Sequence, residues 1–128
     1  MRVLLDTHLL LWTVGLSTRL SAAVRTLLDD PDNKIFFSSA SLWEVAIKSG
    51  ANRDDFQVDV RLLRRTLLNN GYAELPVTGE HAIAIAELPR IHKDPFDRIL
   101  IAQAAVEGIT LATTDAAIAR YPGPIQQV

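Results

Sequence analysis

The chain has 128 residues, of which 48% are hydrophobic and 22% charged, and this profile predicts a single folded domain over residues 1–128. Cysteine is absent, which excludes disulfide scaffolds, cysteine-based zinc sites and thiol nucleophiles. The formal net charge of −2 lacks the basic excess that is typical of nucleic-acid-binding proteins.

The first apolar run, residues 3–12, is interrupted by Asp6 and His8. Because of these polar residues, the run reads as a strand followed by a helix and not as the core of a signal peptide. No other run approaches the roughly 20 apolar residues that a membrane span needs. We therefore expect a soluble, cytoplasmic protein with no membrane partner.

Short segments of bulky apolar residues alternate with segments of helical periodicity along the rest of the chain. The predicted strands cover residues 2–5, 35–38, 72–77, 109–112 and 125–128. The predicted helices begin near Asp6, Ser21, Ser39, Val58, Thr78, Pro95 and Asp115, and residues 51–57 are predicted to be a loop. This alternation indicates an α/β fold with a central, mainly parallel sheet of about 4–5 strands and helices on both faces.

Two acidic residues directly follow predicted strands. Asp6 comes after Val3-Leu4-Leu5, and Asp115 comes after the strand that ends near Thr113. Ligands of parallel sheets bind outside the carboxyl ends of the strands, so both acids are candidates for chemistry. Each is equally compatible with an ordinary helix N-cap.

Glu44 also has two interpretations. In Ser41-Leu42-Trp43-Glu44 it fits a capping box, in which the Glu returns to the cap residue. If the helix already begins at Ser39, however, Glu44 lies in the second turn among apolar neighbours. A partly buried carboxylate there requires a cation or another partner.

Asp94-Pro95-Phe96-Asp97 has the signature of a helix start, with Asp94 as N-cap and Asp97 favoured by the helix dipole. Capping explains each acid separately but not all four of Asp6, Glu44, Asp97 and Asp115 together. Such a cluster is neutralised by a divalent cation, and oxygen ligands favour Mg²⁺ or Mn²⁺. A cation held in this way can activate water for phosphodiester hydrolysis. With these four acids neutralised, the rest of the chain is mildly basic.

Four ordered segments resemble the acidic motifs of PIN domains, and most closely those of VapC-like toxins of bacterial type II toxin–antitoxin systems. The resemblance spans essentially the whole chain, from Val3 to Gly123. The segments are Leu4-Leu5-Asp6-Thr7-His8, Ser41-Leu42-Trp43-Glu44-Val45-Ala46-Ile47-Lys48, the run from His92 to Ala104, and Thr113-Thr114-Asp115.

The resemblance implies a PIN fold, Mg²⁺- or Mn²⁺-dependent endoribonuclease activity on single-stranded RNA, homodimerisation, and a small antitoxin that covers the active-site groove. By position, Asp6 and Asp97 are similar to the principal metal ligands. Glu44 and Asp115 are expected to complete the acidic site as catalytic and metal-binding residues. The resemblance implies Thr7 and Thr113 as supporting hydroxyls, and Asp94 either caps the helix or supports the metal site. Arg98 is a further supporting candidate because of its position beside Asp97. The segment between Gly50 and Val58 departs from the family pattern, which weakens any expectation about the RNA target.

Several other residues have an ordinary interpretation that we favour. Arg61, Arg64 and Arg65 form a basic face that binds RNA phosphate or simply faces solvent, and we favour solvent. Lys48, Lys93 and Arg98 are the better phosphate candidates, although Arg98 is also placed to pair with an acid. Surface or packing roles are expected for His8, His81 and His92, and core or dimer packing for Trp12 and Trp43.

Two other functions are compatible with the sequence. One is an α/β phosphohydrolase or phospho-acceptor that uses Asp6 as nucleophile, although such families usually place a second acid where this chain has His8. The other is a catalytically inactive PIN-like binding module. The presence of all four acids argues against inactivity.

Overall fold

The structure, a computed structural model, describes residues 1–15, 20–50 and 58–128. These residues form one sheet of five parallel strands in the order β3-β2-β1-β4-β5. The strands are β1 (Arg2–Leu5), β2 (Lys34–Ser38), β3 (Ala73–Leu75), β4 (Thr110–Thr113) and β5 (Ile125–Gln127). The predicted α/β class with a parallel sheet is confirmed. The predicted loop 51–57 lies outside the described residues.

Helices connect the strands and cover both faces of the sheet. They are α1 (Thr7–Gly15), α2 (Ala22–Asp29), α3 (Ser39–Gly50), α4 (Val60–Asn69), α5 (Gly79–Ala84) with a 3-10 turn at Ile85–Glu87, α6 (Pro95–Glu107) and α7 (Ala116–Ala119). Within the described ranges, no helix is both long enough and apolar enough to cross a bilayer.

Strand β1 separates two hydrophobic cores because its side chains alternate between the faces of the sheet. Val3 and Leu5 pack in the core formed with α1, α2 and α4, whereas Leu4 packs in the core formed with α6 and α7. All three side chains are fully buried. The central strand therefore fixes the position of the residue that follows it, Asp6, from both sides.

Polar residues begin most of these helices; the sequence predicts Ser21, Asp94 and Asp115 as cap candidates, and the structure adds Asp59. The side chains of Ser21, Asp59, Asp94 and Asp115 each accept hydrogen bonds from backbone N–H groups of the first turn. Helix α6 ends at Gly108, whose φ of +66° is the left-handed conformation that glycine adopts readily.

The buried face of helix α5 is not the one that helical periodicity predicts. Helical spacing predicts an inward face made of Ala82, Ile83, Ile85 and Ala86. Ala82, Ile83 and Ala86 are instead exposed, and Ile83 is 73% exposed. The buried side chain is that of His81, because its Nδ1 accepts from the N–H of Thr78 and its Nε2 lies 2.8 Å from Oε2 of Glu107. These bonds orient the short helix against α6.

Two smaller predictions, on α4 and on β3, are also wrong. Helical spacing in α4 predicts that Leu62, Leu63, Thr66 and Leu67 face inward. Leu63 and Leu67 are buried, but Leu62 is 51% exposed. The strand predicted over residues 72–77 is limited to Ala73–Leu75. Within the described part of the chain it is an edge strand that pairs only with β2, and Pro76 has no N–H to extend the ladder.

Candidate active site

Asp6 lies directly after β1 and is almost fully buried, with 2% of its surface exposed. Its Oδ1 accepts a 2.9 Å hydrogen bond from the N–H of Leu9, and its Oδ2 accepts a 2.6 Å bond from Oγ1 of Thr113. Burial raises the pKa of Asp6, and the two hydrogen bonds partly offset that rise. Asp6 is thus a fixed carboxylate whose charge is only partly compensated.

Thr113 links Asp6 to Asp115. The Thr113 hydroxyl donates to Asp6 and accepts a 3.0 Å hydrogen bond from the N–H of Asp115. The side chain of Asp115 caps α7 through the N–H of Ala117, and its charge contributes to the raised pKa of Asp6. The ends of the neighbouring strands β1 and β4 therefore bring two predicted site acids and one predicted supporting hydroxyl together.

Glu44 lies in the second turn of α3 and is 3% exposed. Its Oε2 bonds to Nζ of Lys48 at 2.6 Å, whereas its Oε1 is buried and has no hydrogen-bond partner among the described residues. The capping-box interpretation is wrong, because α3 begins at Ser39 and the hydroxyl of Ser41 bonds to Oγ1 of Thr7 at 2.9 Å. Thr7, predicted as a supporting hydroxyl, thus joins α1 to α3 beside Glu44.

Asp97 occupies the first turn of α6, and its side chain is 16% exposed. Asp94 caps this helix, since its Oδ1 accepts from the N–H groups of Phe96 and Asp97. Burial raises the pKa of Asp97 to about 6; the hydrogen bond from His92 lowers it, and the charges of Asp94 and Glu44 raise it further. Asp97 and Glu44 are therefore close enough to repel each other.

The structure adds His92, which the sequence assigns to a surface or packing role. Its Nε2 lies 2.7 Å from Oδ2 of Asp97. His92, Asp94 and Asp97 each offer one possible ligand atom, and these atoms lie within 4.8 Å of one another. The only signal in the sequence is that His92 precedes Asp97 by five residues in a polar loop, and that spacing is not diagnostic by itself.

Two of the three basic residues that are candidates for binding phosphate contact other groups of the protein. Arg98 donates from Nη1 and Nη2 to the backbone carbonyls of Pro89, His92 and Ile85, and from Nη1 to Oη of Tyr121. It therefore holds the loop before α6, and none of these contacts is to an acid. Lys48 pairs with Glu44, and Lys93 is exposed.

The arginines of α4 and the two tryptophans are predicted to face solvent and to pack, respectively. Arg61, Arg64 and Arg65 are exposed on α4, and Arg64 pairs with Glu74 at 2.6 Å. Trp12 packs against the core, but Trp43 is 63% exposed and contacts Phe96 edge-on, with 5.0 Å between ring centroids. Of the two packing roles predicted for Trp43, the core role is therefore wrong, and the role in a dimer interface stays a prediction.

The predicted acids lie in two groups, Asp6 with Asp115 and Asp97 with Glu44, and no hydrogen bond or charge interaction found among the described residues joins the two groups. The donor atoms of both groups are of the kind that fits a divalent cation. Asp6 and Asp97 are largely buried carboxylates with raised pKa values, and Glu44 has a buried oxygen without a partner. A buried carboxylate without a compensating charge is costly, and oxygen donors select hard ions such as Mg²⁺ and Mn²⁺. Asp6, Asp97 and the unpartnered Oε1 of Glu44 are thus suitable ligands, whereas Oε2 of Glu44 is already paired with Lys48.

Comparison with known proteins agrees with this geometry. Residues 3–124 match the PIN domain family. The chain belongs to the PIN domain family. No curated protein matches the sequence.

Solved structures share the fold of this PIN domain at low sequence identity. A chain of VapBC2 from Rickettsia felis, bound to a DNA fragment from its promoter, has a TM-score of 0.76 at 16% identity, and the alignment covers 100% of this chain and 99% of that one. DNA-bound VapBC from Salmonella typhimurium has a TM-score of 0.70 at 17% identity, and the alignment covers 99% of this chain and 98% of that one. VapBC-5 from Mycobacterium tuberculosis, of the VapBC family of toxin–antitoxin systems, has a TM-score of 0.60 at 21% identity. The alignment covers 99% of this chain and 97% of that one.

Proposed function

We propose that this PIN domain is a metal-dependent endoribonuclease that hydrolyses phosphodiester bonds of single-stranded RNA in the cytoplasm. The observation that carries the proposal is the buried Oε1 of Glu44, which has no partner among the described residues although it lies beside a second carboxylate, Asp97. Lys48 compensates one of these two carboxylates, and a divalent cation near them would compensate the other. A nuclease of this family is the enzyme class that uses such a site.

Each residue has a defined part in this proposal. Asp6 and Asp97 are the principal metal ligands, and Glu44 and Asp115 complete the acidic site. When bound, Mg²⁺ or Mn²⁺ supplies a Lewis acid that polarises the phosphate and activates water. The protein orients the ligands: Thr113 fixes Asp6, Lys48 fixes Glu44, and the first turn of α6 fixes Asp97.

The structure does not favour a phospho-acceptor role for Asp6. Both of its oxygens accept hydrogen bonds, and it is 2% exposed. An attacking oxygen has to reach the phosphorus of a bulky substrate, whereas a small cation needs only a remaining lone pair on one oxygen, and each oxygen of Asp6 keeps one. This carboxylate is therefore better suited to holding a cation.

The test is cleavage of a labelled single-stranded RNA by purified protein in Mg²⁺, in Mn²⁺ and in EDTA. Wild-type protein should cut only with metal, leaving 3′-hydroxyl and 5′-phosphate ends. Asp97→Asn, which keeps the size of the side chain, should reduce the rate at least a hundredfold and preserve the circular dichroism spectrum. Wild-type rates in Asp97→Asn would exclude the assignment, and a wild-type protein without metal-dependent cleavage would favour the inactive binding module.

We further propose that the protein is the toxin of a type II toxin–antitoxin pair and is inhibited by a small antitoxin that covers the acidic groove. The support is the family and the VapBC structures, of which VapBC-5 is described as a toxin–antitoxin system. Expression should arrest growth, and co-expression of the neighbouring gene's product should relieve the arrest. Arrest that persists in Asp97→Asn would separate toxicity from the nuclease.

An exposed apolar face supports the expected homodimer. Trp43 and Ile47 are exposed on α3, and Ile83 is exposed on α5. Trp43 also lines an apolar cleft of about 430 Å³ together with Val77 and other residues of α3, α5 and α6. Exposed aromatic and aliphatic groups of this kind are enriched at interfaces. Trp43→Glu should convert the dimer to a monomer in sedimentation analysis, whereas a monomeric wild-type protein would exclude this interface.

A further inference from the structure

His92 and Asp97 form a short hydrogen bond at the edge of the acidic site. Nε2 of His92 lies 2.7 Å from Oδ2 of Asp97, and the two side chains are 26% and 16% exposed. An ionised carboxylate has only acceptor atoms, so Nε2 of the imidazole carries the shared proton and donates it. A protonated ring nitrogen has no lone pair for a metal. In this arrangement, His92 therefore contacts the proposed ligand and does not replace it.

The backbone of His92 is held on both of its polar groups. Its N–H donates to Oη of Tyr121 at 2.7 Å, and its carbonyl accepts from Oη of Tyr121 at 3.2 Å and from Nη1 of Arg98 at 3.4 Å. Tyr121 is 4% exposed and belongs to the core beneath α6. The imidazole is thus presented to Asp97 from a fixed backbone.

The carboxylate of Asp97 needs such a partner. Asp94 accepts from the backbone N–H of Asp97, so it fixes the backbone and not the carboxylate of Asp97. Glu44 and Asp94 both repel that carboxylate. A donor on Oδ2 selects one orientation against this repulsion and leaves Oδ1 as the oxygen available to a cation.

We propose that His92 is a positioning residue that holds the Asp97 carboxylate in the orientation required to bind the divalent cation. This inference rests on the proposed function in one respect, namely that Asp97 is a metal ligand. Hydrogen-bond partners of metal ligands typically contribute 10- to 100-fold to metal affinity. Direct ligation by the imidazole is the alternative, and it would favour Mn²⁺ over Mg²⁺, because imidazole binds transition metals better than hard ions.

The experiment is calorimetric titration of the full-length, metal-free protein with MgCl₂ and, separately, MnCl₂ at pH 8. His92→Ala should weaken the affinity for both ions by about 10- to 100-fold. His92→Gln, whose amide nitrogen reaches nearly the place of Nε2, should recover most of the loss. The matched control is Arg90→Ala, an exposed residue of the same loop, which should bind both ions as the wild type does.

The outcomes separate this inference from the proposed function. If the wild type binds neither ion, the metal site and this inference both fail. If the wild type binds and Asp97→Asn does not, but His92→Ala binds like the wild type, only the positioning role fails. A loss confined to Mn²⁺ would identify His92 as a ligand and overturn the positioning role.

A spectroscopic measurement on the wild-type protein covers the case in which His92→Ala does not fold. In ¹⁵N NMR spectra, the ring of His92 should keep its proton on Nε2 both before and after saturation with Mg²⁺. Loss of that proton on addition of metal would show coordination through Nε2 and would contradict the proposal.

Discussion

Thr113 donates a 2.6 Å hydrogen bond to Oδ2 of Asp6, a residue 107 positions earlier in the chain. The same hydroxyl accepts from the backbone N–H of Asp115 at 3.0 Å. Because β1 and β4 are adjacent and parallel, a single buried hydroxyl connects the acids that follow the two strands. Thr113 is therefore central to the geometry of the proposed metal site.

Replacing Thr113 with Val removes this hydroxyl at nearly constant volume. Asp6 then loses a donor inside the protein, and we expect the free energy of unfolding to fall by about 1–3 kcal/mol. Metal affinity should fall as well, since Asp6 is less firmly oriented. Urea denaturation and calorimetry measure the two effects. Thr113→Ser keeps the hydroxyl and should lose less of both, so equal losses in the two variants would exclude the hydrogen bond as the cause.

Lys48 and a bound cation should compensate the same carboxylate. Lys48→Met leaves Glu44 buried without its 2.6 Å partner, and we expect a loss of stability on the order of 1–3 kcal/mol in EDTA. Saturating Mg²⁺ should raise the melting temperature of this variant more than that of the wild type. Lys48→Arg preserves the charge and is the control. An equal effect of Mg²⁺ on all three proteins would show that Glu44 does not contact the ion.

The raised pKa of Asp97 predicts a pH dependence of stability in the metal-free protein. Between its ordinary value of 3.8 and about 6, the folded protein binds more protons at this residue than the unfolded chain does. Ionisation of Asp97 therefore destabilises the fold as the pH rises through this window. Relative to that of Asp97→Asn, the free energy of unfolding of the wild type should rise by about 2–3 kcal/mol when the pH is lowered from 7 to 4. Urea denaturation at each pH measures this difference between the two proteins. A difference in unfolding free energy that does not change with pH would contradict the raised pKa of Asp97.

Arg98 and Lys93 should give opposite results, although both were candidates for binding phosphate. Arg98→Lys cannot reproduce the bonds to three carbonyls and Tyr121, so we expect a loss of stability of about 1–3 kcal/mol with little change in KM for RNA. Lys93 is exposed, and Lys93→Ala should raise KM without affecting stability. A large rise of KM in a stable Arg98→Lys protein would restore the phosphate role.

Local signals account for most of what the sequence predicts correctly. Asp94 followed by Pro95 sets the start of α6, Ser21 sets the start of α2, and the apolar run before Asp6 sets β1. These features depend on neighbours within four residues, so periodicity and capping rules are sufficient. The placement of Asp6 and Asp115 past the carboxyl ends of strands also follows from the predicted parallel sheet, whereas the adjacency of β1 and β4 comes from the structure.

Contacts between distant segments could not be predicted. The bond between His92 and Asp97 depends on Tyr121 and Arg98 fixing a loop that has no periodicity. The exposure of Ile83 depends on the buried His81 binding Glu107 of another helix. Helical periodicity locates an apolar face but does not distinguish a core from a surface that binds another chain.

The most direct measurement is anomalous diffraction from crystals of the wild-type protein soaked in Mn²⁺. We expect a Mn²⁺ peak within about 2.0–2.4 Å of carboxylate oxygens of Asp6 and Asp97, with Glu44 and Asp115 around it directly or through water. The peak should disappear in crystals of Asp97→Asn. An absent peak in the wild type, or one on other residues that persists in Asp97→Asn, would contradict the metal site on which the proposed ribonuclease depends.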